Sequence, residues 1–176
     1  MEETLIGNTL EENAYHETGH IVIAAVSGLD LKTKGIVIYE VSKEVTDGWA
    51  FYWEDKPLWD SILLAIRAGQ VAQLRQFPKS EFRGGQQDVK NFFAIVKSQF
   101  GENRGGEFWE RISGEVASLL KVHWAAVVEI AKALVDSDWI PVEPGEHPLS
   151  TRKKVLDGDA LITILAKHGI SAVVRR

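Results

Sequence analysis

Apolar residues recur at helical spacing through most of the chain and at strand spacing in one short region. The pattern therefore predicts a mainly α (α+β) protein. Thr9-Leu10-Glu11-Glu12 has capping-box form and starts a helix near Leu10. Ala14, Thr18, Ile21 and Ala25 keep one face of that helix small or apolar, and Gly28 is its expected stop. Ile36 to Val41 and Trp49 to Trp53 are rich in β-branched and aromatic residues. With Thr46-Asp47-Gly48 between them, they predict a hairpin or a pair of neighbouring strands. Pro57 sits where a first helical turn tolerates it. Ile62, Leu63, Ile66, Ala68, Val71 and Ala72 carry the next helix towards Phe77, and Pro78 ends it. Gly84-Gly85 breaks the chain, after which Val89, Phe92, Phe93, Val96 and Phe100 outline an amphipathic helix. A long helical pattern runs from about Phe108 to Val135, Pro141 to Pro148 reads as a loop, and a short last helix spans Asp157 to Gly169.

Length and composition narrow the class. At 176 residues the chain fits a single domain over 1–176, with one half at about 10–100 and a C-terminal helical part at about 107–170. Apolar residues make up 45% and charged residues 26%, ordinary for a globular protein. The net charge of −5 carries no basic stripe, which argues against nucleic acid as a partner. With no cysteine there is neither a disulfide nor thiolate chemistry. Met1-Glu2-Glu3 is acidic where a signal peptide is basic, and the apolar stretch Ile21 to Val26 is too short to span a bilayer. The expectation is a cytoplasmic protein without a membrane partner.

The chemistry concentrates in His16-Glu17-Thr18-Gly19-His20. Helical spacing places the two histidines one turn apart on one face, where two imidazole nitrogens can converge on one zinc ion. Glu17, beside the first ligand, is placed to act as general base on a water. Gly19 lacks a side chain, which permits another backbone to approach. Two histidines leave zinc under-coordinated, so a third ligand is needed. The metzincin extension is excluded, because Ile23 and Val26 stand where it requires Gly and His. A glutamate on a later helix and Asp88, at the opening turn of an amphipathic helix, both remain candidates.

A resemblance chooses between them. Ala14-Tyr15-His16-Glu17-Thr18-Gly19-His20 closely resembles the A-x-H-E-A-G-H core of the peptidase domain in the FtsH family of ATP-dependent zinc proteases. Asp47-Gly48-Trp49-Ala50-Phe51 is similar to that family's glycine-led strand, and Ala68-Gly69-Gln70-Val71-Ala72 to its G-G-R-A-A helix. Gly84-Gly85-Gln86-Gln87-Asp88 is similar to its G-A-x-N-D segment, whose Asp is the third zinc ligand. Ala131-Lys132-Ala133-Leu134 and Leu156-Asp157-Gly158-Asp159 resemble its closing elements. The resemblance runs from about Leu10 to His168. It implies a helical zinc-peptidase domain of FtsH type with a small β-hairpin, or edge strand, next to the active site. It implies Zn2+ on His16, His20 and Asp88, Glu17 as general base, and a polypeptide substrate paired with the strand Trp49 to Trp53. Trp49, Phe51 and Trp53 then select apolar substrate side chains, or else form an ordinary buried strand face.

The departures matter as much. No G-x-x-x-x-G-K-[ST] motif is present, so the chain is expected to act independently of ATP on peptides and flexible segments. Gln70 and Gln73 replace the family's usual Arg and Glu, and the segment after the Asp88 helix is cut to Phe100 to Gly106. Two other readings follow from these changes. One is a metal-stabilised interaction module without turnover; the other is a peptidase subunit that works with a separate ATPase or as a homo-oligomer. His123, His147 and His168 are read as structural or solvated.

Overall fold

A computed structural model describes residues 8–53, 58–80 and 85–176. Pro57, Gly84 and Met1-Glu2-Glu3 lie outside the described residues. Helix α1 (Leu10–Val26) opens on the capping box as expected. The Thr9 side chain accepts from the Glu12 backbone, and the Glu12 carboxylate accepts from the Thr9 backbone at 2.9 Å.

The surroundings of α1 differ from the one-sided burial that its sequence predicts. It is buried nearly all round, from Asn13 to Ala25, with only Tyr15 partly exposed in that stretch. A helix apolar or small on every side is a central helix. Its charged and polar members, His16, Glu17, Thr18 and His20, are carried into the interior with it. Helix α2 (Trp59–Gln76) crosses α1 closely because Gly19 has no side chain; a Cβ there would lie 2.6 Å from the Ala68 carbonyl oxygen.

Helix α3 (Gln86–Phe100) buries Phe92 and Val96 and leaves Phe93 exposed. Helix α4 (Gly105–Asp136) is divided at His123, whose φ of −102° and ψ of 17° are not helical. Its first half meets α2 and α3, where Trp109 packs on Phe92 and takes the Arg67 guanidinium over its ring. In its second half Trp124 stacks on Tyr15 of α1.

Strands β1 (Leu31–Glu40) and β2 (Thr46–Tyr52) form the expected antiparallel pair. The turn is displaced from its expected place: the chain reverses over Val41–Val45, and Asp47 and Gly48 belong to β2. The reason lies in the packing, because Gly48 faces α1 where a side chain has no room.

The hairpin is also part of a larger sheet than expected. The short β3 (Ile140–Pro141), β4 (Arg152–Leu156) and β5 (Val174–Arg175) complete five strands in the order β2-β1-β4-β3, with β5 parallel to the start of β1. Between β4 and β5 runs helix α5 (Gly158–Lys167), capped by Asp157. Strand β4 carries three successive cations and no alternation, yet it lies inside the sheet. Lys153 is neutralised by Glu146, and buried Lys154 donates to the carbonyls of Val135 and Ser137 at the end of α4. On one face of β1, Ile36 and Ile38 join the helical core. On the other, Tyr39 stacks on His147 and donates to Glu146, both from the loop that precedes β4. Among the described residues, no helix is long and apolar enough to cross a membrane.

Candidate metal centre

His16 and His20 stand one turn apart on α1 with ring centroids 4.7 Å apart. His16, Glu17 and His20 offer ligand atoms that lie within 4.8 Å of one another. From the first turn of α3, Asp88 brings Oδ2 to 3.0 Å from His16 Nε2 and 3.4 Å from His20 Nε2. The three candidate ligands picked out in the sequence therefore meet at one point, contributed by two helices.

The opposite edge of each ring is anchored. His20 Nδ1 donates to the Ala65 carbonyl oxygen at 2.7 Å, and His16 Nδ1 donates to Gln73 Oε1 at 3.0 Å. The Gln73 amide is oriented by its own nitrogen, which donates to Asn8 Oδ1 and Ser80 Oγ. With each proton on Nδ1, both Nε2 lone pairs face the Asp88 carboxylate. Three acceptors converging on one point require a cation or a proton between them. Burial opposes charge on His20, but the Asp88 carboxylate, Glu17 and the Ala65 carbonyl push it up to about 9. Burial likewise works against the Asp88 anion, yet His20 and His16 hold its carboxyl well below the usual carboxylate range. Two back-bonded imidazoles and a carboxylate form a donor set that suits zinc, with the orienting partners that zinc-ligating histidines usually have.

Helix α2 supplies this second layer. Ala65, Gly69 and Gln73 recur every fourth residue and present one face to α1. Gly69 lies directly beneath the rings: a Cβ there would sit 2.4 Å from His20 Nε2 and 2.7 Å from His16 Nε2. Sequence reasoning did not assign Gln73 or Ala65 to the centre, although their spacing about Gly69 was a signal. Gln70 turns elsewhere and accepts from Arg67.

Glu17 is 6% exposed, and burial raises its carboxyl above the ordinary range even though His16 and His20 pull the other way. Its neighbour is Gly48 of β2, where an added Cβ would meet Glu17 Cγ at 2.7 Å and Oε1 at 2.8 Å. Strand β2 is an edge of the sheet. Apart from a bridge between Asn8 and Thr46, no strand among the described residues pairs with its outer side.

A cleft of about 660 Å³ lies along it, lined by Glu17, both histidines, Asp88 and the stretch Asp47 to Trp53, with Gln87 and Asn91 of α3 on the far wall. Trp49, Phe51 and Trp53 border this cleft and are not a buried strand face: Trp49 is 53% exposed, and the other two are half-buried. Alternation turns Gly48, Ala50 and Tyr52 towards α1 and the three aromatics to the opposite side. There Lys34 lies over the Phe51 ring and Lys32 over the Trp53 ring.

The remaining histidines are placed elsewhere. His123 marks the α4 kink, and His168 pairs with Glu129 at 2.8 Å. His147 contacts Asp47 at 3.4 Å and accepts from the Leu149 backbone. A scan against models of known protein families finds no match to the chain, and no curated protein matches it.

Proposed function

We propose that the chain is a zinc-dependent metalloendopeptidase of FtsH-like peptidase fold, acting on unfolded or flexible polypeptides. One observation carries the reading. His16 Nε2, His20 Nε2 and Asp88 Oδ2 converge within hydrogen-bond range, both imidazoles are anchored from behind, and the Glu17 carboxylate lies alongside without being needed as a ligand.

His16, His20 and Asp88 would hold the zinc. Held there, the ion supplies Lewis acidity, polarising an amide carbonyl and making water a competent nucleophile at neutral pH. The chain's own residues do the rest. Glu17 takes the proton of the attacking water and delivers it to the leaving amine nitrogen as the C–N bond breaks. Its burial raises its proton affinity, which suits a group that must both accept and release a proton. Beyond Thr46 the edge of β2 has no strand partner among the described residues and presents backbone groups to an extended polypeptide, and Gly48 brings that edge against Glu17. Main-chain pairing is weakly selective for sequence, and the exposed Trp49 favours large apolar side chains next to the reacting bond.

The test is Glu17→Gln in zinc-loaded protein, with bound zinc and cleavage of an unstructured protein measured side by side. The expected outcome is an unchanged zinc content with hydrolysis lost. Turnover equal to that of the parent protein overturns the assignment. A non-catalytic zinc module predicts instead a site closed by a fourth protein ligand.

A further inference from the structure

The cleft beside Glu17 has a second end of different chemistry. It follows β2 from Gly48, against Glu17, to Trp53, and there Lys32 joins its lining. Five residues at about 3.3 Å each put that end roughly 17 Å from Gly48. Lys32 belongs to β1, on the stretch where the β1–β2 register shifts between Leu31 and Ile36. Its Nζ lies 4.6 Å from the centroid of the Trp53 ring.

Two other cations stand nearby, and both are matched. Lys34 pairs with Glu146 at 3.0 Å, and Arg175 faces Asp30 at 3.5 Å. No carboxylate among the described residues pairs with Lys32. An ammonium is a donor of three hydrogen bonds and an acceptor of none, and a ring face satisfies only one side of it. A half-buried, braced cation in a cleft, within a chain of net charge −5, is a local exception to the protein's own electrostatics.

We infer that Lys32, held on Trp53, is a specificity-determining residue that binds an Asp or Glu side chain of the extended polypeptide. That carboxylate lies about five residues along from the substrate residue opposite Gly48, by the strand rise. The inference rests on the peptidase reading for its ligand and on pairing with β2 for its register. The aromatic stripe and this cation together define the substrate class: an extended segment with a large apolar residue near the reacting bond and an acidic residue one strand-length away.

The experiment uses a series of peptides, acetylated and amidated at their ends so that no terminal carboxylate competes, with a single glutamate moved one position at a time. Two readouts are taken: kcat/KM with the zinc-loaded protein, and fluorescence anisotropy with the Glu17→Gln variant, which needs no turnover. One position should raise both kcat/KM and the affinity obtained from the anisotropy titration by about fivefold, the upper range for a solvent-accessible ion pair. Lys32→Gln should flatten the profile, and Lys32→Glu should shift the preference to lysine at the same position. Thermal unfolding of both variants establishes that they fold; the parent profile stands without them. A flat profile with the parent protein, or an unaltered preference in folded Lys32→Glu, overturns the inference. Hydrolysis without any glutamate preference removes the subsite and leaves the peptidase reading standing. A glutamate preference in binding with no hydrolysis of any peptide removes the peptidase reading and leaves the subsite.

Discussion

Gln73 Oε1 accepts the Nδ1 proton of His16 at 3.0 Å, and the rest of the Gln73 amide is spent on Asn8 and Ser80, so a neutral, fully bonded side chain sets the orientation of the first candidate ligand. Gln73 is wholly buried, and it extends a polar chain that runs through Ser80 to Glu12 of the capping box. Replacing Gln73 by Met keeps the volume and removes the acceptor. Zinc affinity should fall by about 10- to 100-fold, the usual effect of losing a partner behind a zinc ligand. Competition with a chelator of known affinity measures it, and an unchanged affinity would show that His16 needs no such support.

On the proposed reading, two glycines separate metal binding from catalysis. Gly69→Ala places a methyl 2.4 Å from His20 Nε2 and should abolish zinc binding. Gly48→Ala instead displaces Glu17, with contacts at 2.7 Å and 2.8 Å, and leaves the ligands alone. That variant should bind zinc normally and lose roughly a hundredfold in kcat/KM, typical of a displaced catalytic group. Zinc content and peptide turnover, measured on both proteins, distinguish the two outcomes.

Removal of zinc should also be visible in stability. An ion bound only by the folded state, at a free concentration a hundred times its Kd, contributes about 2.7 kcal/mol. In a domain of this size each kcal/mol is about 2–4 °C in Tm. Calorimetry with and without a chelator should therefore show a fall of several degrees. No change would mean that the His16, His20 and Asp88 cluster does not hold a metal.

Acid should weaken the loop before β4 through Glu146. Its hydrogen bond from Lys153, with those from Lys34 and Tyr39, holds the carboxyl down at about 2, against burial. The ordinary value is 4.5, so the folded state binds this proton less readily than the unfolded chain. The stabilisation is complete above pH 4.5 and is lost as pH falls from there towards about 2. Glu146→Gln should be less stable than the parent at pH 7, with the difference shrinking through that window. Denaturant midpoints at several pH values test it, and a constant difference would contradict it.

Helices α1 to α5 were legible because each carries local signals: the Thr9–Glu12 box, the apolar period around Phe92, the Asp157 cap. The His16–His20 spacing was legible for the same reason, since side chains one turn apart need only the helix itself to meet. Asp88 was legible as one of several carboxylates, and a resemblance was needed to choose it. Strand β4 was hidden because Lys153 and Lys154 are buried by partners distant in sequence, Glu146 and the end of α4, and local propensity cannot register those. Asp47-Gly48 misled for a related reason: a glycine kept for contact with Glu17 looks the same in sequence as one that makes a turn. The anchoring of His16 by Gln73 and of His20 by Ala65 depends on how α1 and α2 cross, a tertiary relation.

The open side of β2 has a consequence for the protein in concentrated solution. An edge with no strand partner beyond Thr46 among the described residues does not discriminate between a guest and a twin, and an exposed Trp49 beside it adds an apolar incentive to stack. Crowding the molecules together should therefore silence them reversibly, each plugging its neighbour's cleft, and dilution should restore the lost turnover per molecule.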